Sequence, residues 1–202
     1  MNASQSPSPN AEAPRASAPR MYTWISETGR VIEQVRVVRE GESSRARGRI
    51  VSAAHSTHSA FTLDYEAEIG ADLALRRVQL SATTEEYERS IVLVRDDEGW
   101  RYDDPAEGGS RIGSPGVVDL DVPLSVYFSS VIIRRLELNA QPGSTERQVL
   151  SADSISLDVT EDSVTYSSDD EKVHSVSGAA STSATVDSDG IIVDVDGLSQ
   201  RA

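Results

Sequence analysis

The chain has 202 residues, no cysteine and a formal net charge of -14 from 19 basic and 33 acidic residues. Without cysteine there is no disulfide framework, thiolate metal site or thiol nucleophile, so burial alone must hold the fold. The dispersed acid excludes a basic face of the kind nucleic acid requires, and it suits a hydrated protein in a salt-rich, cytoplasmic setting.

Valine and isoleucine together number 32 against 12 leucines. β-branched side chains fit a pleated surface better than a helix, so the composition predicts an all-β fold. Residues 1–20 hold half of the eight prolines among Ser, Ala and Asn, with almost nothing apolar to bury, and read as a disordered tail. No apolar run approaches the ~18 residues needed to span a bilayer, and the start of the chain carries no apolar segment of signal-peptide type.

From Met21 onward the pattern alternates with period two and is interrupted by Ser, Gly, Asp and Pro clusters. Strands are expected at Met21–Ser26, Val31–Arg39, Arg47–Ser52, Phe61–Ile69, Leu73–Ala82, Glu88–Arg95 and Trp100–Tyr102. Further strands are expected at Val117–Val126, Val131–Asn139, Arg147–Leu150, Ser154–Val159, Val164–Ser167, Val173–Ser177, Ala184–Asp187 and Ile191–Val195. The clearest is Phe61–Ile69, where Phe61, Leu63, Tyr65, Ala67 and Ile69 share one face and Thr62, Asp64, Glu66 and Glu68 the other. Asp189-Gly190 has the composition of a hairpin turn.

The octapeptide Leu75–Ala82 aligns with Ile133–Ala140, and Glu88–Val92 aligns with Glu146–Leu150 at the same offset. This predicts an internal duplication: one β domain over 21–202, made of two similar antiparallel halves at about 21–105 and 117–202 with a Gly- and Pro-rich linker at about 107–116, closed as a barrel or packed as a sandwich.

The run Val118-Asp119-Leu120-Asp121, followed by Val126-Tyr127-Phe128-Ser129-Ser130-Val131-Ile132-Ile133-Arg134-Arg135-Leu136, resembles the central signature of the family called "putative glycolipid-binding". The stretch from Val186 to Leu198 resembles that family's C-terminal signature, and Trp24 and Gly99-Trp100 fall where members usually place such residues. Ser129-Ser130 replace a typical Thr-Asn pair, Ile132 a proline, and Val195-Asp196 a Tyr-Pro pair. The resemblance implies a β-barrel of two similar halves, likened to bacterial lipoprotein carrier proteins, and a lipid or glycolipid as ligand.

If Leu73–Ala82 and Val131–Asn139 are strands, alternation puts Arg76 and Arg134 on the apolar face and Arg135 on the other. A guanidinium inside a β shell must be paired. The partners are Asp64, Asp119 or Asp121 in structural bridges, or the anionic head of a ligand. Trp24, Trp100, Tyr65, Tyr102 and Tyr127 are the aromatic candidates for lining a site, and equally candidates for core and rim. His55 and His58 lie apart from His174, so a metal site is not expected, and Asp187-Ser188-Asp189-Gly190 lacks the later acidic ligands of a calcium loop. No nucleophile elbow and no phosphate-cradling glycine loop opening a helix is present, so neither catalytic residues nor a cofactor are expected. The sequence therefore predicts non-enzymatic binding of a lipid or glycolipid in an apolar interior or groove, its polar head oriented by Arg76 and Arg134 together with Asp119, Asp121 and Tyr127, with Trp24 and Trp100 lining the site. The alternative is a structural or protein-interaction module with a filled core.

Overall fold

The computed structural model describes residues 18–56, 58–103, 110–169 and 171–202. Eight strands come from the first part of the chain: β1 (Arg20–Ser26), β2 (Val31–Glu40), β3 (Ser43–Ser52), β4 (Phe61–Ile69), β5 (Leu75–Thr84), β6 (Glu88–Asp96), β7 (Gly99–Tyr102) and β8 (Arg111–Ile112). A short strand β9 (Asp119–Asp121) and a helix α1 (Val126–Arg135) follow. The chain finishes with β10 (Gly143–Ala152), β11 (Val159–Ser168), β12 (Val173–Ser177), β13 (Ala180–Val186), β14 (Ile192–Val195) and β15 (Ser199–Arg201).

All fifteen strands belong to one sheet, in the order β8-β7-β6-β5-β4-β3-β2-β1-β15-β14-β13-β12-β11-β10-β9. Two meanders thus meet where β1 pairs antiparallel with β15, Trp24 opposite Arg201. Every pairing is antiparallel except that of β9 with β10, where Leu120 faces Leu150. Side chains tie the two ends of the sheet to each other. Arg89 donates to the Ser156 carbonyl and pairs with Asp158, the Trp100 indole donates to the Val118 carbonyl, and the Ser114 amide donates to Glu161 at 2.6 Å. The wall curls around a single buried cluster to which both meanders and α1 contribute.

The expected strand at Val131–Asn139 is instead the second half of α1 and the turn after it. Ser125 caps the helix with extended backbone, its hydroxyl accepting from the Phe128 amide at 3.2 Å, and Arg134 and Arg135 stand in the last turn, where cations favour the dipole. Val126, Tyr127, Phe128, Ser130, Val131, Ile132 and Ile133 are all buried, so the helix lies inside the wall rather than on it. Burial of seven of its ten residues leaves only Ser129, Arg134 and Arg135 to mark the helical period, and the β-branched run Val131-Ile132-Ile133 then reads as a strand. Ser154–Val159 is likewise largely a turn before β11, whereas β8 and β15 carry too few residues to have been expected.

The duplication drawn from octapeptides also changes. Leu75–Ala82 lies in β5, while Ile133–Ala140 is helix end and turn, so the matched segments have different backbones. Glu88–Val92 and Glu146–Leu150 do both lie in strands, β6 and β10. The expected tail falls mostly on 1–17, and part of the expected linker on 107–109, both outside the described residues.

Candidate functional site

The centre of the interior is polar. Glu33 stands on the inward face of β2 between Val31 and Val35 and is 2% exposed. Its Oε1 accepts hydrogen bonds from the Tyr65 hydroxyl at 2.7 Å and the Ser125 hydroxyl at 2.5 Å. Its Oε2 accepts from the amides of Val126 at 2.6 Å and Tyr127 at 3.2 Å. A carboxylate from the wall thus caps α1 from inside, where unpaired amides and the positive end of the dipole favour an acceptor. Burial pushes its carboxyl up to about 7, against the pull of the four donors. The alternation Val31, Glu33, Val35 contained this signal, an acid on an apolar face, but the strand's apolar pattern hides one polar member.

Around this carboxylate the aromatic rings pack as core. Tyr65 lies parallel to Tyr127 with centroids 6.4 Å apart and meets Phe128 edge-on at 5.2 Å. Tyr65 leans over Gly48, its cross-strand neighbour in β3; a Cβ there would stand 2.1 Å from the Tyr65 Cζ, so only glycine leaves room for the ring. The Tyr127 hydroxyl is buried with no hydrogen-bond partner among the described residues, and burial raises its pKa. Trp24 donates from Nε1 to the Ile192 carbonyl at 2.9 Å while Ser130 accepts from the Ile192 amide, which fixes β14 to α1.

Of the two arginines expected inside, neither takes an internal acid. Glu68 and Ile69 of β4 face Arg77 and Leu75 of β5, so Arg76 is the extra residue of a β-bulge. The bulge resets the alternation: Leu75 and Val78 are both buried, and Arg76 turns out to pair with Asp72 at 2.7 Å. Arg134 is half-buried on the last turn of α1, its stem against Gly190. It is Arg135 that takes Asp119, in a two-pronged contact with Nε to Oδ1 at 2.6 Å. Successive residues of a helix point about 100° apart rather than to opposite faces, so the strand assignment chose the wrong arginine.

Asp119 is 5% exposed and satisfied by Arg135, whereas the carboxyl of Asp121 next to it is pushed up to about 6 by burial and has one oxygen without a partner. Trp100 is buried, and Tyr102 is partly buried against the core. Asp64 pairs with Arg49 outside the wall. The rings of Trp24, Tyr65, Tyr127 and Trp100 therefore pack in the interior. His55 and His58 face each other in an isolated bridge, and His174 contacts Asp169 at 3.1 Å; among the described residues no three ligand-type side chains converge as a metal would require. Asp187 closes the expected turn, its Oδ1 accepting from the amides of Asp189 and Ile191.

The open surface features are outside. On the outer wall a groove of about 460 Å³ runs over β1–β5, its floor at Gly48 and Tyr65. Its rim is set by register: Met21, Arg36, Arg47, Glu66 and Gln79 form one row across five strands, and Thr23, Gln34, Arg49, Asp64 and Ser81 the next. Arg47 and Arg49 pair with Glu66 at 3.0 Å and Asp64 at 2.6 Å. One step further along the strands, Ile25, Ile32 and Val51 stand side by side, 38%, 42% and 48% exposed. A second groove of about 350 Å³ lies at the seam between residues 114–119 and 146–148, with Asp119, Arg135 and Arg147 on its walls.

The family model described as "Putative glycolipid-binding" matches residues 21–201. Among solved structures, a DUF1089 family protein from Pseudomonas aeruginosa is similar at 22% identity with a TM-score of 0.69, covering 84% of this chain and 92% of its own. A β-barrel-like protein of the DUF1849 domain of unknown function from Brucella abortus is similar at 12% identity and a TM-score of 0.49, over 91% of this chain and 93% of its own. Among curated proteins, none matches the chain. The first of these likenesses supports the fold, a large curled β sheet, and nothing finer.

Proposed function

Because this chain belongs to the family described as "Putative glycolipid-binding", we propose that it binds a lipid or glycolipid without catalysing a reaction, and that it does so on the outer wall rather than in the interior. The observation that carries this reading is the adjacency of the polar groove to the exposed apolar row. Guanidinium, amide and carboxylate groups of Gln34, Arg47, Arg49, Asp64 and Gln79 supply donors and acceptors for a sugar, and Ile25, Ile32 and Val51 supply a track for an alkyl chain. The groove's size falls in the ~300–1,000 Å³ range of small-molecule sites. Three exposed aliphatic side chains in register on adjacent strands make an apolar row open to an alkyl chain.

Inside, the space a lipid chain would take is filled by α1 and its rings. On this reading the head group is oriented on β2 and β3, and Arg76 and Arg134, which do not line the groove, take no part in it.

The test is a titration with octyl β-D-glucoside below its micelle concentration, followed by backbone amide resonances. Shifts confined to residues 21–25, 32–36 and 47–51, weakened by Ile32→Asp, are expected. Shifts centred on residues 126–133 would put the chain inside and refute the outer-wall site.

A second reading, the filled-core interaction module, is favoured by one feature of the seam. β9 pairs with β10 only at Val149–Ser151, so among the described residues no strand pairs with the edge of β10 from Gly143 to Gln148 on that side, which leaves it to an added strand.

A further inference from the structure

The outer groove is unevenly charged. In register, Arg36 of β2 stands directly opposite Arg47 of β3, with Met21 on its other side. Like charges directly opposite in a sheet are destabilising. The carboxylates that offset the β3 arginines, Asp64 and Glu66, both stand on β4, on the side of β3 away from β2. Arg36 is exposed and makes no ion pair among the described residues. The groove therefore carries three guanidiniums on β2 and β3 against two carboxylates on β4, in a chain whose overall charge is -14. An unneutralised cation inside a lined groove of a strongly acidic protein selects for ligand charge.

We infer that the groove takes amphiphiles whose head group carries one oxyanion, held between Arg36 and Arg47. This deepens the outer-wall reading and rests on it. An oxyanion of carboxylate, phosphate or sulfate type presents paired oxygens to the planar forks of the two guanidiniums and removes their mutual repulsion. Gln34, whose amide already reaches the Thr23 hydroxyl at 3.2 Å, stands two residues from Arg36 on β2, and Gln79 lies beyond Glu66 on β5; both carry groups suited to sugar hydroxyls. The alkyl chain leaves along Ile32 and Val51.

The experiment compares octyl β-D-glucoside with octyl β-D-glucuronide, which differ only in a hydroxymethyl group against a carboxylate, by calorimetry below their micelle concentrations. The glucuronide is expected to bind about three- to fivefold more tightly, the gain of one exposed charge-assisted contact. Arg36→Ala should bring the ratio of glucuronide to glucoside affinity to about one, and about 1 M salt should compress it, since the screening length falls to about 3 Å. Equal binding of the two compounds overturns the inference and leaves the outer-wall reading intact. Binding of neither removes both. Free glucuronate binding as tightly as its octyl derivative would mark a plain anion site and overturn the amphiphile assignment.

Discussion

Replacing Glu33 by alanine removes the one acceptor shared by Tyr65, Ser125, Val126 and Tyr127. Buried donors left without partners are destabilising by about 1–3 kcal/mol each when they cannot reach water, and partial relaxation brings the expected loss for Glu33→Ala to about 3–5 kcal/mol. The dependence on pH is the sharper measurement. The carboxyl titrates near its ordinary 4.5 in the unfolded chain and at about 7 in the folded protein. Between those values the folded state holds more protons than the unfolded one, so stability falls as pH rises from about 4.5 to about 7 and is level above that. The raised pKa corresponds to about 3 kcal/mol. Asp121, raised from 3.8 to about 6 by burial, contributes in the same direction over a lower window. Urea unfolding followed by tryptophan fluorescence from about pH 5 to about pH 8 reads this directly in the wild type and in Glu33→Gln. The glutamine variant, which cannot ionise, should lie below the wild type at the acid end and close on it by about 3 kcal/mol by pH 8. A wild type that gains stability over this range, or a constant offset between the two proteins, would show that Glu33 is ionised in the fold and that the helix N-terminus outweighs burial.

Gly48→Ala should lower stability by about 2–4 kcal/mol in the same assay, because its Cβ would overlap the Tyr65 phenol and force it away from Glu33; a neutral result would mean the ring has another place to go. Arg135→Ala, which strands the buried Asp119, should lower stability by about 3–5 kcal/mol and be partly rescued by Asp119→Asn. Arg76→Ala, at an exposed pair with Asp72, should stay within about 0.5 kcal/mol, and equal losses for the two arginines would contradict the placement of Arg76 on the bulge.

Sequence and tertiary structure divided the result between them along a physical line. Strand alternation is local: Phe61–Ile69 can bury one face only by putting Phe61, Leu63, Tyr65, Ala67 and Ile69 together, and β4 has those limits and that face. The β-rich composition and the aromatic residues of the core were open to the same reasoning, and Trp24, Trp100 and Tyr127 are buried. Glu33 lay within reach of it too, as an acid on the apolar face of β2.

The position of Arg76 was not, because the bulge that turns it outward is a property of the pairing of β5 with β4. Nor was α1, since its β-branched run Val131-Ile132-Ile133 has the local preference of a strand and only the sheet curled around it makes a buried helix the better fit. The outer groove depends on the register that sets Arg36 against Arg47 and Ile32 against Val51, residues that are strangers in sequence until β2 and β3 pair. Composition and period fixed what each residue prefers as neighbour; which neighbour it receives is decided by long-range pairing, and the buried cap, the Arg135–Asp119 pair and the amphipathic wall all lie on that side.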